Sequence, residues 1–363
     1  MIHFGQISAA DFLSNYWQKQ PLLIKQALPG FISPISADEL AGLSLEEVFE
    51  SRLITGTIKD NQWSLESGPF SEQVFAQLPE HDWTLLVQGV DRFIPEVYEL
   101  VQHFDFIPRW RFDDVMISYA TTGGSVGPHF DYYDVFLLQG SGKRRWQLSH
   151  QNCTLDNYLK DTPLRIMDKF KVEMELEVEP GDVLYIPPKV AHHGVSLSDD
   201  CTTLSFGYRS YTGKELFENC PEDKANSYYQ DPIWQSSNTP ALIPKTAINQ
   251  ANLIAPITEV EFAKFATKLD TLDQKILQEL EFDTQDELFD EQENYQLHPV
   301  CKVAYIQTNK RSQFFVNGEE FSPNAGDDEM INFCNSRVID AGQNPQLAQQ
   351  LFSLNLIQAK PQD

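Results

Sequence analysis

The chain has 363 residues, 41% of them hydrophobic and 12% aromatic, with 53 acidic against 27 basic side chains and a net charge of −26. That apolar content excludes a largely disordered polymer, and the length suits about two domains of roughly 100–200 residues. The charge argues against a protein whose main work is tracking nucleic-acid phosphates, and it suits a basic partner.

Nowhere does an apolar run approach the roughly 20 residues needed to span a bilayer. The opening MIHFGQISAADFLSNYW has neither the basic nor the continuous apolar stretch of a signal peptide. The five cysteines, Cys153, Cys201, Cys220, Cys301 and Cys334, are odd in number and form no CxxC pair. They are expected to be scattered buried thiols in a reducing compartment, not a disulfide framework or a zinc knuckle. The expected location is the cytoplasm, with no membrane association.

Residues 1–110 read as mixed and mostly helical. Asp11–Gln18, Ala37–Phe49 and Ile94–Phe104 carry apolar residues at helical spacing, with Pro21, Pro29 and Pro34 interrupting the pattern. From Arg111 the period becomes two. Val115, Ile117 and Tyr119 alternate, TTGGSVGP makes a Gly-rich turn, and Asp134–Gln139 is an apolar strand joined by Ser-Gly to Lys143–Leu148. Lys171–Val178 alternates again, Glu-Pro-Gly-Asp turns the chain into VLYIPP, and Thr202–Tyr208 closes the series. Short strands at regular spacing with Gly/Pro turns predict an antiparallel barrel or a double-sheet jelly roll of about a hundred residues.

Beyond Thr212 the pattern changes once more. Residues 221–250 are polar and interrupted by proline, and Val260–Leu280 predicts one long amphipathic helix. Glu259–Glu293 holds 12 acidic residues against three lysines, which reads as a solvated helical face or as a surface for a basic partner. In the tail, VAYIQ is a strand, QFFVNGEEF a hairpin about Asn317-Gly318, and DDEMINFCNS and PQLAQQLFSL are helices. Helices with a hairpin suggest a small winged-helix-like domain. Seven acidic against five basic residues over 297–363 give little support to a DNA-reading wing.

The stretch GPHFDYYDVFLLQGSGKRRW carries the chemistry. His129 and Asp131 are two apart, so on a strand they leave by the same face. Sixty-three residues after His129, GDVLYIPPKVAHHGVSL puts His192 at the start of another strand. Two histidines and one carboxylate on one face of a jelly roll form the facial triad of non-heme Fe(II) oxygenases, which leaves positions open for an α-keto acid and O₂. His193 competes for the third place. Adjacent strand residues face opposite ways, so one of the two reaches the metal, and the spacing of five residues from Pro187 favours His192.

In Lys143-Arg144-Arg145, alternation sends Arg144 away from its two neighbours, and away from the side of Trp146, into the barrel. An inward guanidinium needs a carboxylate. Either the distal carboxylate of 2-oxoglutarate supplies it, or a protein Asp or Glu does. Ser118 is a candidate hydroxyl donor to the same carboxylate, with Ser205 second; both also read as plain strand serines. Tyr132 and Tyr133 read as core or rim aromatics.

Together the segments NYWQKQPLLIK, SRLI, WSLESGPF, WTLLVQGV, FDDVMISY, GGSVGPHFDYYDVFLLQGSGKRRW and EPGDVLYIPP resemble the bacterial JmjC-domain ribosomal oxygenases, densely over about residues 10–210. The resemblance implies an α+β chain. Its expected parts are a double-stranded β-helix (cupin, JmjC) core with helical decoration over 1–213, a helical dimerisation segment over 214–294 and a winged-helix-like domain over 295–363 that does not bind DNA. It implies His129, Asp131 and His192 as catalytic iron ligands, with Arg144 and Ser118 holding 2-oxoglutarate. KVAHH departs from the family pattern of a Gly and a single His. The implied activity is an Fe(II)-, O₂- and 2-oxoglutarate-dependent dioxygenase, a homodimer that hydroxylates an arginine at Cβ in a basic ribosomal protein, L-sixteen of the large subunit. The alternatives are the same chemistry on a ribosomal histidine or another substrate, and a metal-holding cupin scaffold without catalysis.

Overall fold

The alternation that begins at Val115 becomes a set of antiparallel strands in the computed structural model, which describes residues 1–57, 62–160, 162–217, 220–235, 238–283, 288–308 and 311–360. Contacts divide the chain into two units, Met1–Phe104 with Phe112–Ser210, and Asp105–Arg111 with Tyr211–Asp363.

The first unit holds α1 (Ala9–Asn15), β1 (Leu22–Ile24), α2 (Ala37–Leu43), β2 (Ser51–Thr57), β3 (Gln62–Ser67), α3 (Glu72–Ala76), β4 (Trp83–Val87) and α4 (Pro95–Leu100). After these come β5 (Val115–Ala120), β6 (Asp134–Ser141), β7 (Arg144–Ser149), β8 (Met174–Val178), β9 (Val183–Ile186), β10 (Ala191–Ser196) and β11 (Cys201–Tyr208). Eight strands form one antiparallel sheet in the order β1-β9-β6-β11-β5-β4-β2-β3, and a smaller sheet runs β10-β7-β8. The expected jelly-roll core is present. The region before residue 110 differs from the mostly helical expectation, because it lends four strands to the large sheet. WTLLV is a short apolar run whose period cannot separate strand from helix, and Thr84–Val87 is buried throughout because β4 lies inside the sheet.

Burial on both faces explains the unbroken apolar run of β6. Val135 and Leu137 pack with Trp146, Leu148, Leu184 and Ile186. Phe136 points the other way, its ring centroid 5.7 Å from Phe12 of α1, 5.0 Å from Tyr185 and 4.9 Å from Phe104. A capping box holds α1 in place to deliver Phe12: the Asp11 amide donates to the Ser8 hydroxyl at 3.1 Å, and the Ser8 amide donates to the Asp11 carboxylate at 3.0 Å.

The second unit contains α5 (Gly213–Leu216), α6 (Lys245–Ala251), α7 (Glu259–Ala266) and α8 (Thr271–Asp283). Where one long helix was expected there are two. The Thr267 hydroxyl donates back to the Ala263 carbonyl at 2.9 Å, and the Asp270 carboxylate accepts from the Asp273 amide at 2.7 Å and starts α8. The rest is β12 (Asn294–Leu297), β13 (Val303–Thr308), β14 (Arg311–Val316), β15 (Glu319–Phe321), α9 (Asp327–Ser336), β16 (Val338–Asp340), α10 (Pro345–Ser353) and β17 (Ile357–Ala359). The hairpin turn forms at Asn317 and Gly318, with φ of 51° and 87° as a type I′ turn requires. β12, β16 and β17, of four residues or fewer, were not anticipated. Part of the acidic stretch, 284–287, lies outside the described residues. Among the described residues no helix is long and apolar enough to cross a membrane.

Phe136 is wholly buried, so Phe136→Ala is expected to lower stability by about 3–5 kcal/mol. Urea denaturation followed by tryptophan fluorescence measures this, and an unchanged midpoint would contradict the two-faced role of β6.

Candidate metal centre and its cavity

The His129–Asp131 pair lies in the loop before β6, not on a strand as its spacing suggested. Gly127, at φ 78°, and Pro128 turn the chain. His129 then makes one reciprocal backbone pair with His192: its amide donates to the His192 carbonyl at 3.0 Å and its carbonyl accepts at 2.8 Å. That single bridge aims the loop histidine as a strand would.

His129, Asp131 and His192 converge, each offering an atom within 4.8 Å of the others. Asp131 Oδ2 is 3.8 Å from His129 Nε2 and 3.6 Å from His192 Nε2, and the imidazole centroids are 4.2 Å apart. Each ring is oriented by a carbonyl: Gly127 O lies 2.9 Å from His129 Nδ1, and Val190 O 3.1 Å from His192 Nδ1. A carbonyl only accepts, so Nδ1 carries the proton and Nε2 turns its lone pair to the shared space. Burial, reinforced by His129, pushes His192 down to about 4 and leaves it neutral at pH 7. Two imidazoles and a carboxyl group around a shared space suit a divalent first-row metal such as Fe(II). His193 faces the other way, its Nδ1 3.2 Å from Gln147 Oε1 and its ring against Phe170.

These groups line a cavity of about 200 Å³ with Ser118, Arg144, Ser205, Asp114 and Tyr133. Arg144 is 3% exposed. Among the described residues its Nη2 has no hydrogen-bond partner, and its Nε donates to the Cys201 sulfur at 3.4 Å. Lys143 and Arg145, by contrast, reach solvent and pair with glutamates. The expectation that Arg144 would point away from Trp146 is corrected: residues two apart on β7 share a face, and the guanidinium lies 5.6 Å from that ring. Gly194 makes room for this, since a Cβ there would sit 2.7 Å from the indole. Ser118 pairs across the strands with Thr203, and Ser205 with Met116, so both serines face the cavity on adjacent strands.

Asp113, Asp114 and Met116 also line the cavity and were not singled out as site residues. The signal was Asp-Asp at the head of an alternating strand. Asp114 accepts from Gln88 Nε2 at 2.6 Å and from the Gly89 amide at 3.0 Å. Burial, with Asp113 and Asp91 beside it, pushes its carboxyl up to about 7. Tyr133 lines the same space beside Asp131, whereas Tyr132 packs against Phe130 outside it.

Residues 99–216 match the family model of the JmjC domain. The chain is 39% identical over 227 residues to the ribosomal protein uL16 3-hydroxylase of Escherichia coli, a match covering 61% of this chain and 59% of that protein. It is 42% identical over 204 residues to a probable ribosomal oxygenase of Haemophilus influenzae, covering 56% and 50%. These matches thus span between half and three fifths of those relatives. The X-ray structure of E. coli YcfD superposes with a TM-score of 0.72 at 27% identity, covering 99% of this chain and 100% of that one. YcfD in complex with cobalt and 2-oxoglutarate superposes at 0.69, again at 27% identity, covering 98% and 99%. Residues 99–216 therefore carry a JmjC domain, and the chain as a whole is similar in sequence and fold to bacterial ribosomal oxygenases.

His129→Ala or Asp131→Ala is expected to weaken Mn(II) binding by at least about tenfold, and His193→Ala to leave it intact. Titration calorimetry on the metal-free protein measures this. Loss of binding in His193→Ala alone would reverse the assignment.

Proposed function

We propose that the protein is an Fe(II)- and 2-oxoglutarate-dependent hydroxylase of an arginine side chain, at Cβ, in the ribosomal protein L-sixteen. One observation carries the oxygenase reading: a buried guanidinium, whose Nη2 has no partner among the described residues, lines the same cavity as two imidazoles and a carboxyl group. A purely structural metal site has no use for a cation held beside it. Burying that cation is costly until an anion arrives, and a dicarboxylic keto acid brings one. The likeness to YcfD in complex with cobalt and 2-oxoglutarate supports the same reading.

His129, Asp131 and His192 would hold the iron, and Arg144, with the Ser118 hydroxyl beside it, would hold the distal carboxylate of 2-oxoglutarate. Iron with 2-oxoglutarate and O₂ supplies the oxidising power to replace C–H by C–OH, one oxygen atom entering the product and the other entering succinate as CO₂ leaves. The chain itself orients and excludes. Gly127 and Val190 fix the imidazole tautomers, and Trp146, Val135 and Leu137 keep part of the cavity wall apolar.

Asp113 and Asp114 favour arginine over a neutral side chain. Asp114 sits near neutrality when the cavity is empty, and an incoming guanidinium would draw it to the carboxylate form and grip it with paired N–H donors. The net charge of −26 suits a basic ribosomal partner. By the same resemblance, residues 214–294 would form a homodimer interface and 295–363 a winged-helix-like domain without DNA contact, in a cytoplasmic protein.

Mass spectrometry of ribosomal proteins from cells with and without this gene tests the proposal. The expected difference is one oxygen atom on one arginine of L-sixteen; a shift on a histidine moves the substrate, and no shift refutes a ribosomal target. In assays with the purified protein, Asp131→Ala is expected to abolish turnover. Arg144→Ala should raise the 2-oxoglutarate requirement about tenfold to a hundredfold, whereas Asp114→Asn should raise KM for the arginine substrate and leave that for 2-oxoglutarate unchanged. Equal effects of Asp114→Asn on both KM values would refute its role toward arginine.

A further inference from the structure

Cys201 begins β11, is wholly buried and meets the site at the Nε edge of Arg144. Its sulfur accepts two hydrogen bonds, from Arg144 Nε at 3.4 Å and from Gln139 Nε2 at 3.3 Å. Gln139 is wholly buried too, and its amide is pinned at both ends. Its Nε2 also donates to the Ser141 carbonyl at 2.7 Å, and its Oε1 accepts from the Thr203 hydroxyl at 3.2 Å. Thr203 lines the cavity. A buried polar chain thus runs from the cavity wall through Gln139 and Cys201 to the back edge of Arg144, and the described residues place no carboxylate on that guanidinium.

The acceptor type matters. Thiol sulfur is a weak acceptor. It can direct the Nε–H bond without neutralising the guanidinium, whereas a carboxylate in its place would consume the charge. An apolar residue would leave the Nε edge unpaired and the side chain free to turn.

We propose that Cys201, seated by Gln139, is a positioning residue for Arg144: it holds the Nε edge so that the Nη groups face a dicarboxylate in the cavity with their charge unspent. This rests on the reading of Arg144 as the 2-oxoglutarate clamp. The side chain required at 201 is small and uncharged, with an acceptor atom.

The test is binding of 2-oxoglutarate to the Mn(II)-loaded protein by titration calorimetry, with thermal melting and Mn(II) affinity measured alongside. Cys201→Ala is expected to weaken 2-oxoglutarate binding about threefold to tenfold, as loss of one modest hydrogen bond does. Cys201→Ser, which restores an acceptor, should recover most of it, and Mn(II) affinity should stay constant in both. Gln139→Leu should repeat the Cys201→Ala effect, since it unseats the sulfur. In turnover, the loss should appear in KM for 2-oxoglutarate and not in KM for the arginine substrate. Wild-type 2-oxoglutarate affinity in a folded Cys201→Ala protein would overturn the proposal, as would a Cys201→Ser variant no better than Cys201→Ala. If the wild-type protein binds Mn(II) but no 2-oxoglutarate, the clamp reading falls and this proposal falls with it. Intact binding by wild type with no effect in the variants rejects the role of Cys201 alone.

Discussion

The reciprocal backbone pair between His129 and His192 is the constraint on which the site depends. His129 belongs to no ladder of its own, and without that bridge its loop would set neither the direction nor the distance of its side chain. His192 is fixed by the register of β10 on β7, where it stands opposite Leu148 while Ser196 stands opposite Arg144. The backbones of His192 and Arg144 therefore stand four ladder steps apart, roughly 13 Å of strand. That rigid spacing leaves room for a short dicarboxylic acid once the long Arg144 side chain is counted. The loop is buttressed from behind: Met167 donates its amide to the Pro128 carbonyl at 2.8 Å, and Phe130 stacks on Tyr158 with centroids 5.6 Å apart.

Holding a bare guanidinium inside a jelly roll costs stability. Two features reduce that cost without cancelling the charge. The indole of Trp146 faces it, worth up to about 2 kcal/mol when desolvated. Cys201 accepts the Nε–H hydrogen bond. Gly194 belongs to the same device, because any side chain there would displace the indole that the guanidinium rests against.

Much of this was legible from residue order. Alternation from Val115 to Tyr208, broken by Gly/Pro turns, is a direct imprint of two-faced strands, and the hairpin at Asn317-Gly318 carries its own backbone requirement. The convergence of His129, Asp131 and His192 was legible because two short spacings and one rigid Pro-Pro turn aimed them. Two structural features were hidden for different reasons. β4 is an apolar segment too short for a period to declare itself, and only its neighbours in the sheet decide its type. The split between α7 and α8 rests on Thr267 and Asp270 diverting backbone bonds, a local competition that an apolar stripe running across both helices conceals. Asp114 was hidden because its importance lies in burial beside Asp113 and Asp91, and that proximity is made by tertiary structure.

The inner face of β11 orders the cavity electrostatically. Cys201, Thr203, Ser205 and Gly207 alternate onto one face. Cys201 touches Arg144 at one end, and at the other the Gly207 amide donates to the Asp114 carbonyl at 3.0 Å. Those two ends are six residues apart, roughly 20 Å of strand. One lies beside a fixed positive charge that lacks an anion, the other beside a carboxyl held near neutrality by crowded acids. On the proposed function, 2-oxoglutarate would take the Arg144 end and the arginine side chain the Asp114 end, where Arg52 and Arg209 also line the cavity, with hydroxyls between them. A single neutral pocket would have to distinguish the two by shape alone. Here the separation is built into one strand, and the metal-ligand cluster shares the cavity in which the two ligands would meet.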